Sequence, residues 1–319
     1  GCMLLQSMYL GFSVVFPLLC YMALGWLIKR KRWASPNTFE EMNKLVFRTF
    51  MAALLFYNTY SIDAASIFTV EHLKLLLFSL LCLAAVFLAA ELGTRRMVRD
   101  RKRAAVISQG IFRSNLALFG LPISIAVYGE GRQGDLAVLM GIIVPLYNIL
   151  AEIVLSRAED RKPSPRTLLK KIFHNPLVDA TFLGIALILL GIKLPIMVEH
   201  TIERLGKVTT PLAFVIIGGS LAIKDFHQDR KAITAVSLVR LLLLPAVILP
   251  VAYLLGMRGS ALICLLVVFA SPIAVSSYTM ARDKNIAPSL AGGLVAATTF
   301  ASVLTIFLWI TLLSSLNLL

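Results

Sequence analysis

The chain has 319 residues, 58% of them hydrophobic and only 15% charged, with a mean hydropathy of +0.84 and a net charge of +14. A soluble domain carries about a quarter charged residues, and the apolar residues here fall in blocks long enough to cross ~30 Å of hydrocarbon, which excludes an ordinary soluble fold. The basic residues sit in short segments between those blocks with no recognition motif, which excludes nucleic acid as a partner and makes the lipid bilayer the surrounding medium.

In chain order the apolar blocks predict spans over 8–28, 39–60, 72–92, 104–129, 135–156, 176–193, 206–223, 232–255, 260–281 and 288–313. The first is full length and runs into Lys29–Arg32, unlike a cleavable signal peptide. The second opens on Glu41, Lys44 and Arg48 and carries Asn58. The fourth holds Arg113, Ser114, Asn115, Pro122 and Ser124. The fifth holds Pro145, Asn148 and Glu152. A polar connection, RAEDRKPSPRTLLKK over 157–171, follows. The seventh opens on Glu199, Glu203 and Lys207, the eighth carries Arg240, and the ninth holds Ser271, Pro272, Ser276, Ser277 and Tyr278. Cys2, Cys20, Cys82 and Cys264 are scattered without metal or redox spacing.

Sidedness follows from Lys and Arg. The segments after the odd-numbered spans hold 21 of the 31 basic residues. The positive-inside rule therefore puts those segments in the cytoplasm and both termini outside. The 157–171 connection divides ten spans into five and five. An odd number inverts the second half, the geometry of inverted repeats, whose binding sites lie near the bilayer midplane. The halves share weak traces: PISIAVY (122–128) against PIAVSSY (272–278), each in the fourth span of its half.

Proline within a helix removes a hydrogen bond and clashes with the preceding turn, and in lipid the freed groups must find protein or water. Proline beside clustered polar residues in both fourth spans therefore predicts broken helices, whose half-helix N-termini would offer N–H groups and positive dipole to an anion. The bland reading, a kink patched by serine, is the alternative. Asn115 lies ~16 Å into its span at 1.5 Å per residue, where it either contacts ligand or ties two helices. Arg113 and Arg240 are deep enough to need a partner. Glu152 is the candidate counter-ion, and structural pairing and anion attraction stand equal for both arginines. Asn58, Asn148 and Tyr278 are candidate cavity or coupling residues; Arg48, Glu91, Asp179 and Lys207 read as interfacial anchors. No HExxH, GxSxG, Walker A motif or mid-membrane aspartate pair occurs, so neither an enzyme nor an ATP-driven pump is expected, and no metal or cofactor.

The segments MNKLVFRTFMAALLFYN (42–58), FRSNLALFGLPISIAVYGE (112–130), NPLVDATFLGIALILLGIKLP (175–195), TTPLAFVIIGGSL (209–221) and SPIAVSSYTMARDKNIAP (271–288) resemble the auxin efflux carrier family, whose bacterial members include malate permease and dicarboxylate carriers. The Asn115, Gly120, Pro122 spacing is the most specific piece. The resemblance implies an all-α membrane protein of ten transmembrane helices, in two inverted five-helix repeats with broken, crossing fourth and ninth helices, as in bile-acid symporters. Residues 1–60 and 176–223 would be scaffold helices, 61–157 and 224–319 a mobile transport domain, and 158–175 a cytoplasmic linker. In plant members proline–asparagine and proline–glutamine mark the crossover. Asn115 falls on that asparagine and Pro272 on the second proline, while Ser114 and Ile273 replace the other two residues. This register, preferred here, sets the first break at Asn115 rather than Pro122.

The expectation is a secondary active transporter of a small organic anion, malate or another mono- or dicarboxylate, working as an elevator. Its binding residues would be Arg113, Ser114, Asn115, Ser271, Pro272 and Ser276. A sodium-coupled bile-acid-carrier-like symporter and a non-transporting membrane sensor are the alternatives. Many relatives form homodimers through the scaffold, and compact loops favour a bacterial inner membrane.

Overall fold

The computed structural model describes residues 2–61, 70–128, 134–159, 166–167, 170, 173–220 and 223–319. Most of the expected linker lies outside the described residues. Among those described, the secondary structure is helical apart from one isolated antiparallel bridge between Ser114 and Ile273.

The helices are α1 (Cys2–Arg30), α2 (Pro36–Leu45), α3 (Met51–Tyr60), α4 (Val70–Met97), α5 (Arg101–Phe112), α6 (Leu116–Tyr128) and α7 (Gly134–Ala158). The second part of the chain adds α8 (Pro176–Leu189), α9 (Ile196–Ser220), α10 (Ile223–Leu238), α11 (Leu244–Leu254), α12 (Ser260–Ala270), α13 (Val275–Asp283) and α14 (Pro288–Ser315). One π-turn, Val46–Phe50, joins α2 to α3, and another, Val239–Leu243, joins α10 to α11. The starts have local causes. The Ser35 side chain accepts from the Thr38 N–H, with Pro36 in the first turn. Asp100 accepts from the Lys102 and Arg103 N–H groups, and Asn175 accepts from that of Leu177. Each satisfies donors that the helix leaves orphaned.

Four described helices are long and apolar enough to cross a membrane: Val70–Met97, Leu139–Ala158, Asp229–Leu254 and Pro288–Ser315. On α4, Leu73, Leu77, Leu81, Leu88 and Leu92 are exposed while Leu76, Leu83, Val86 and Ala90 are buried. An apolar stripe facing outward along such a helix suits hydrocarbon and would be a liability in water.

Packing follows two neighbourhoods. Helix α9 lies against α1, α2 and α3, and α3 also lies against α8. The α1–α9 crossing is close enough to require glycine. A Cβ on Gly25 would sit 2.0 Å from the Val215 carbonyl oxygen, and one on Gly218 would sit 2.0 Å from that of Met22. Small residues at such crossings let backbones approach, the main source of helix association in lipid. Helices α4, α5 and α7 pack together, α12 packs on α6 and α11, and α14 packs on α10 and α13. Helix α1 also contacts α14.

Both interrupted helices have a physical cause. Ser271 is extended, at φ −66° and ψ 152°, as the residue before a proline prefers. Pro272 has no N–H to return to the Val268 carbonyl. In the first half Arg113 is extended without a proline beside it. Here the Asn115 N–H donates to the Pro272 carbonyl at 2.8 Å, and the Ala274 N–H reaches the Arg113 carbonyl at 3.4 Å. Pro122 lies inside the unbroken α6, so it is no break point, and the register through Asn115 is the one the helices follow.

Candidate functional site

The two breaks create four helix ends at one place: the C-termini of α5 and α12, and the N-termini of α6 and α13. Beside them is a small cavity of about 50 Å³. Arg113, Ser114, Asn115 and Leu116 line it from the first break, Ala274, Val275 and Ser276 from the second, and Val144, Tyr147 and Asn148 from α7. The remaining wall is Met51, Leu54 and Leu55 of α3 with Thr209 and Thr210 of α9. Its volume suffices for a water or two, each of which takes about 30 Å³ in liquid.

Arg113 is the only charged group among the described residues lining this cavity. It is 2% exposed. Its Nη2 donates to Asn148 Oδ1 at 2.5 Å and its Nη1 to the Met280 sulfur at 2.9 Å. Among the described residues no carboxylate reaches it. The Ser114 and Tyr147 hydroxyls are 3.1 Å apart. The side-chain NH₂ groups of Asn115 and Asn148 are buried with no hydrogen-bond acceptor among the described residues. Buried donors seldom go without partners, and two of them beside a guanidinium without a direct ion pair make a cavity rich in donors. The first N–H groups of α6 and α13 add positive helix ends. The chemistry this arrangement can perform is binding of an anion with hydrogen-bond-accepting oxygens.

The other expected site residues separate. Ser276 and Pro272 stand at the second break, the former lining the cavity and the latter accepting from the Asn115 N–H through its carbonyl. Ser271 contributes its carbonyl to Arg240, and its hydroxyl does not line the cavity. Asn58 is half-buried on α3 and outside the cavity. Tyr278 is buried and accepts from Arg282, on the wall of a separate cleft of about 500 Å³ with Lys29, Lys44 and Asp283. Arg240 is fully buried among backbone carbonyls rather than in the cavity.

Glu152 makes no direct ion pair with either arginine, and its charge acts on Arg113 only through space. Its Oε1 is 2.7 Å from Lys284 Nζ, its Oε2 accepts from Asn175 Nδ2 at 2.7 Å, and Ser156 donates to it at 2.7 Å. A charge so nearly enclosed takes the closest cation available, here one beyond the end of α13. Burial pulls the Lys284 pKa down, but Glu152 and Glu159 together outweigh it, and the net shift is upward.

Tyr147, Thr209 and Thr210 line the cavity without having been singled out by sequence. Tyr147 precedes Asn148 in a proline-containing span, and the threonines open one of the quoted family segments, so adjacency was the available signal.

Residues 10–310 match the family described as membrane transport protein. The chain is 25% identical over 302 residues to the uncharacterized transporter YfdV of Escherichia coli K12, covering 93% of this chain and 95% of that one. It is 24% identical over 305 residues to an uncharacterized transporter of Methanocaldococcus jannaschii, covering 93% and 97%. An uncharacterized transporter of Methanothermobacter thermautotrophicus is 23% identical over 302 residues, covering 93% and 96%.

Proposed function

The chain belongs to the membrane transport protein family, the auxin efflux carrier family, and on that premise we propose that it is a secondary carrier of a small organic anion, a mono- or dicarboxylate such as malate. The observation that carries this reading is Arg113, a buried guanidinium whose direct hydrogen-bond partners are all neutral. A buried cation without a counter-charge is costly. A carboxylate arriving at the cavity would supply a direct counter-charge, and the free NH₂ groups of Asn115 and Asn148 would take up its oxygens.

The carrier is an integral multi-pass membrane protein. In the reading proposed here it has ten spans in two inverted repeats, with α5–α6 and α12–α13 as the broken fourth and ninth. Residues 1–60 and 176–223 form the scaffold, and 61–157 and 224–319 form the transport domain. The cavity's lining agrees with such a division. Arg113, Asn115, Asn148 and Ser276 come from one body, and Met51, Leu54 and Thr209 from the other. A cavity of about 50 Å³ must widen to admit an organic acid, and a site at a seam widens when the two bodies shift. Elevator movement, with the substrate carried against a fixed scaffold, is the corresponding mechanism. The positive-inside count supports an orientation with both termini outside.

The test is uptake of labelled malate by proteoliposomes under an imposed pH gradient without sodium. Saturable, gradient-dependent uptake is expected. If no labelled mono- or dicarboxylate enters with either a proton or a sodium gradient, the reading fails.

A further inference from the structure

We propose that Arg240 is the positioning residue of the anion site: it ties together the two C-terminal helix ends at the breaks and masks their negative dipole, leaving the cavity to the positive ends and Arg113. This rests on the reading of the cavity as an anion site.

A break in a helix creates ends of both signs. Each end carries roughly half an elementary charge, positive at the N-terminus and negative at the C-terminus. Two breaks side by side therefore offer an anion as much repulsion as attraction unless the carbonyl ends are neutralised. Arg240 is placed to do so. Its Nε donates to the Ser271 carbonyl at 3.0 Å and its Nη2 to the Val268 carbonyl at 2.5 Å, both at the end of α12. Its Nη1 donates to the Ile111 carbonyl at 3.0 Å, in the last turn of α5. The Val268 carbonyl is the acceptor that Pro272 cannot serve, so the guanidinium replaces a hydrogen bond the break removes. The side chain is completely buried and lines no part of the cavity. One positive charge, spread over three donors, thus faces two negative ends worth about one charge together.

The backbone behind Arg240 is fixed for this purpose. It lies in the π-turn Val239–Leu243, of a kind frequent at functional sites. The nearby Pro245 has no N–H for the Leu241 carbonyl, which instead accepts from Trp309 Nε1 at 2.9 Å. Lysine could keep the charge at position 240 but not bond three carbonyls from two helices; glutamine could keep donors without the charge.

The experiment combines backbone exchange with transport in Arg240→Lys and Arg240→Gln. Hydrogen–deuterium exchange on the purified, ligand-free protein reads peptides spanning 111–116 and 271–275 against α1 and α9 as internal reference. Loss of charge-assisted bonds predicts exchange at the Asn115 amide at least about tenfold faster in both variants, with the reference helices unchanged. The KM for labelled malate is expected to rise in both, more in Arg240→Gln because the mask is gone. Folded variants with wild-type exchange at the breaks overturn the positioning role. Faster exchange with an unchanged KM overturns the mask. If Arg240→Gln does not fold, Arg240→Lys alone decides by the same two readouts. If the wild type itself transports no malate, the anion-site reading and the mask fall, while exchange still judges the tie between the breaks.

Discussion

A guanidinium buried beside an amide and a thioether is stable only if its surroundings supply negative potential, because desolvation of an unpaired ion costs several kcal/mol. For Arg113 that potential is absent from the described cavity wall, which makes its charge the most informative one to remove. Arg113→Gln should raise the KM for malate by about ten- to a hundredfold, the equivalent of one or two charge-assisted hydrogen bonds, with little loss of folded protein. Uptake kinetics in proteoliposomes read this directly, and an unchanged KM would count against the site. Asn115→Ala should abolish or strongly reduce uptake while the protein stays folded. Asn58→Ala, on α3 but outside the cavity, should leave uptake near wild type. Sequence could single out Asn115 because its spacing to Gly120 and Pro122 is a motif. It could not rank Asn58 below Asn148, since both are amides in apolar spans and only the packing of α7 against the breaks separates them. Glu152 shows the same limit. Depth in the sequence suggested an arginine partner, but a lysine 132 residues away in the chain is nearer in space.

Helices are the scale at which sequence was most legible. The apolar blocks correspond to described helical segments with ends shifted by a few residues, except that α9 starts at Ile196 and α10 at Ile223, well before their apolar blocks. Charged first turns hid those starts, because hydropathy records lipid contact rather than helicity. The second break was legible through Pro272; the first depends on a bridge to a strand-like segment 159 residues away, which no local rule contains. Two predictions belong to this scale. Placing alanine at Gly25 puts a methyl 2.0 Å from the Val215 carbonyl and forces α1 from α9, so Gly25→Ala should destabilise the protein by ~1–3 kcal/mol or more, as overpacking does. Thermal unfolding in detergent checks it. The ion pair at the end of α13 gives the other. The Lys284 pKa is raised above its ordinary 10.5. Its contribution to stability is therefore complete below that value and is lost as pH rises through the higher folded one. Glu152→Gln should lower stability at pH 7, and should shrink the additional loss that the wild type shows above about pH 10.5. An identical alkaline profile in both proteins would show that the pair does not titrate as described.

On the division proposed above, few polar contacts among the described residues cross from one body to the other. The Asn43 side chain of α2 donates to the Thr279 carbonyl of α13 at 3.3 Å, and Thr279 itself donates to the Met51 sulfur of α3 at 3.4 Å. Asn175, at the start of α8, donates to Glu152 of α7. If residues 224–319 slide against residues 1–60 during transport, the contacts of Asn43 and Met51 with Thr279 must part in every cycle. Charge counting pointed only to two inverted halves; this division is what the family resemblance implies, and which faces meet is set by side chains distant in sequence and was not readable there. A cross-link tests the movement itself. In a background with Cys2, Cys20, Cys82 and Cys264 replaced by serine, Asn43→Cys with Thr279→Cys places a thiol on each side of the seam. The neighbouring side chain and backbone are already in hydrogen-bond contact, close to the separation a disulfide or short dithiol linker spans. Oxidation should stop malate uptake and reduction should restore it, while either single variant transports normally in both conditions. Uptake that continues in the fully cross-linked protein would mean that the seam does not move, and that the substrate reaches the cavity through motion within one body alone.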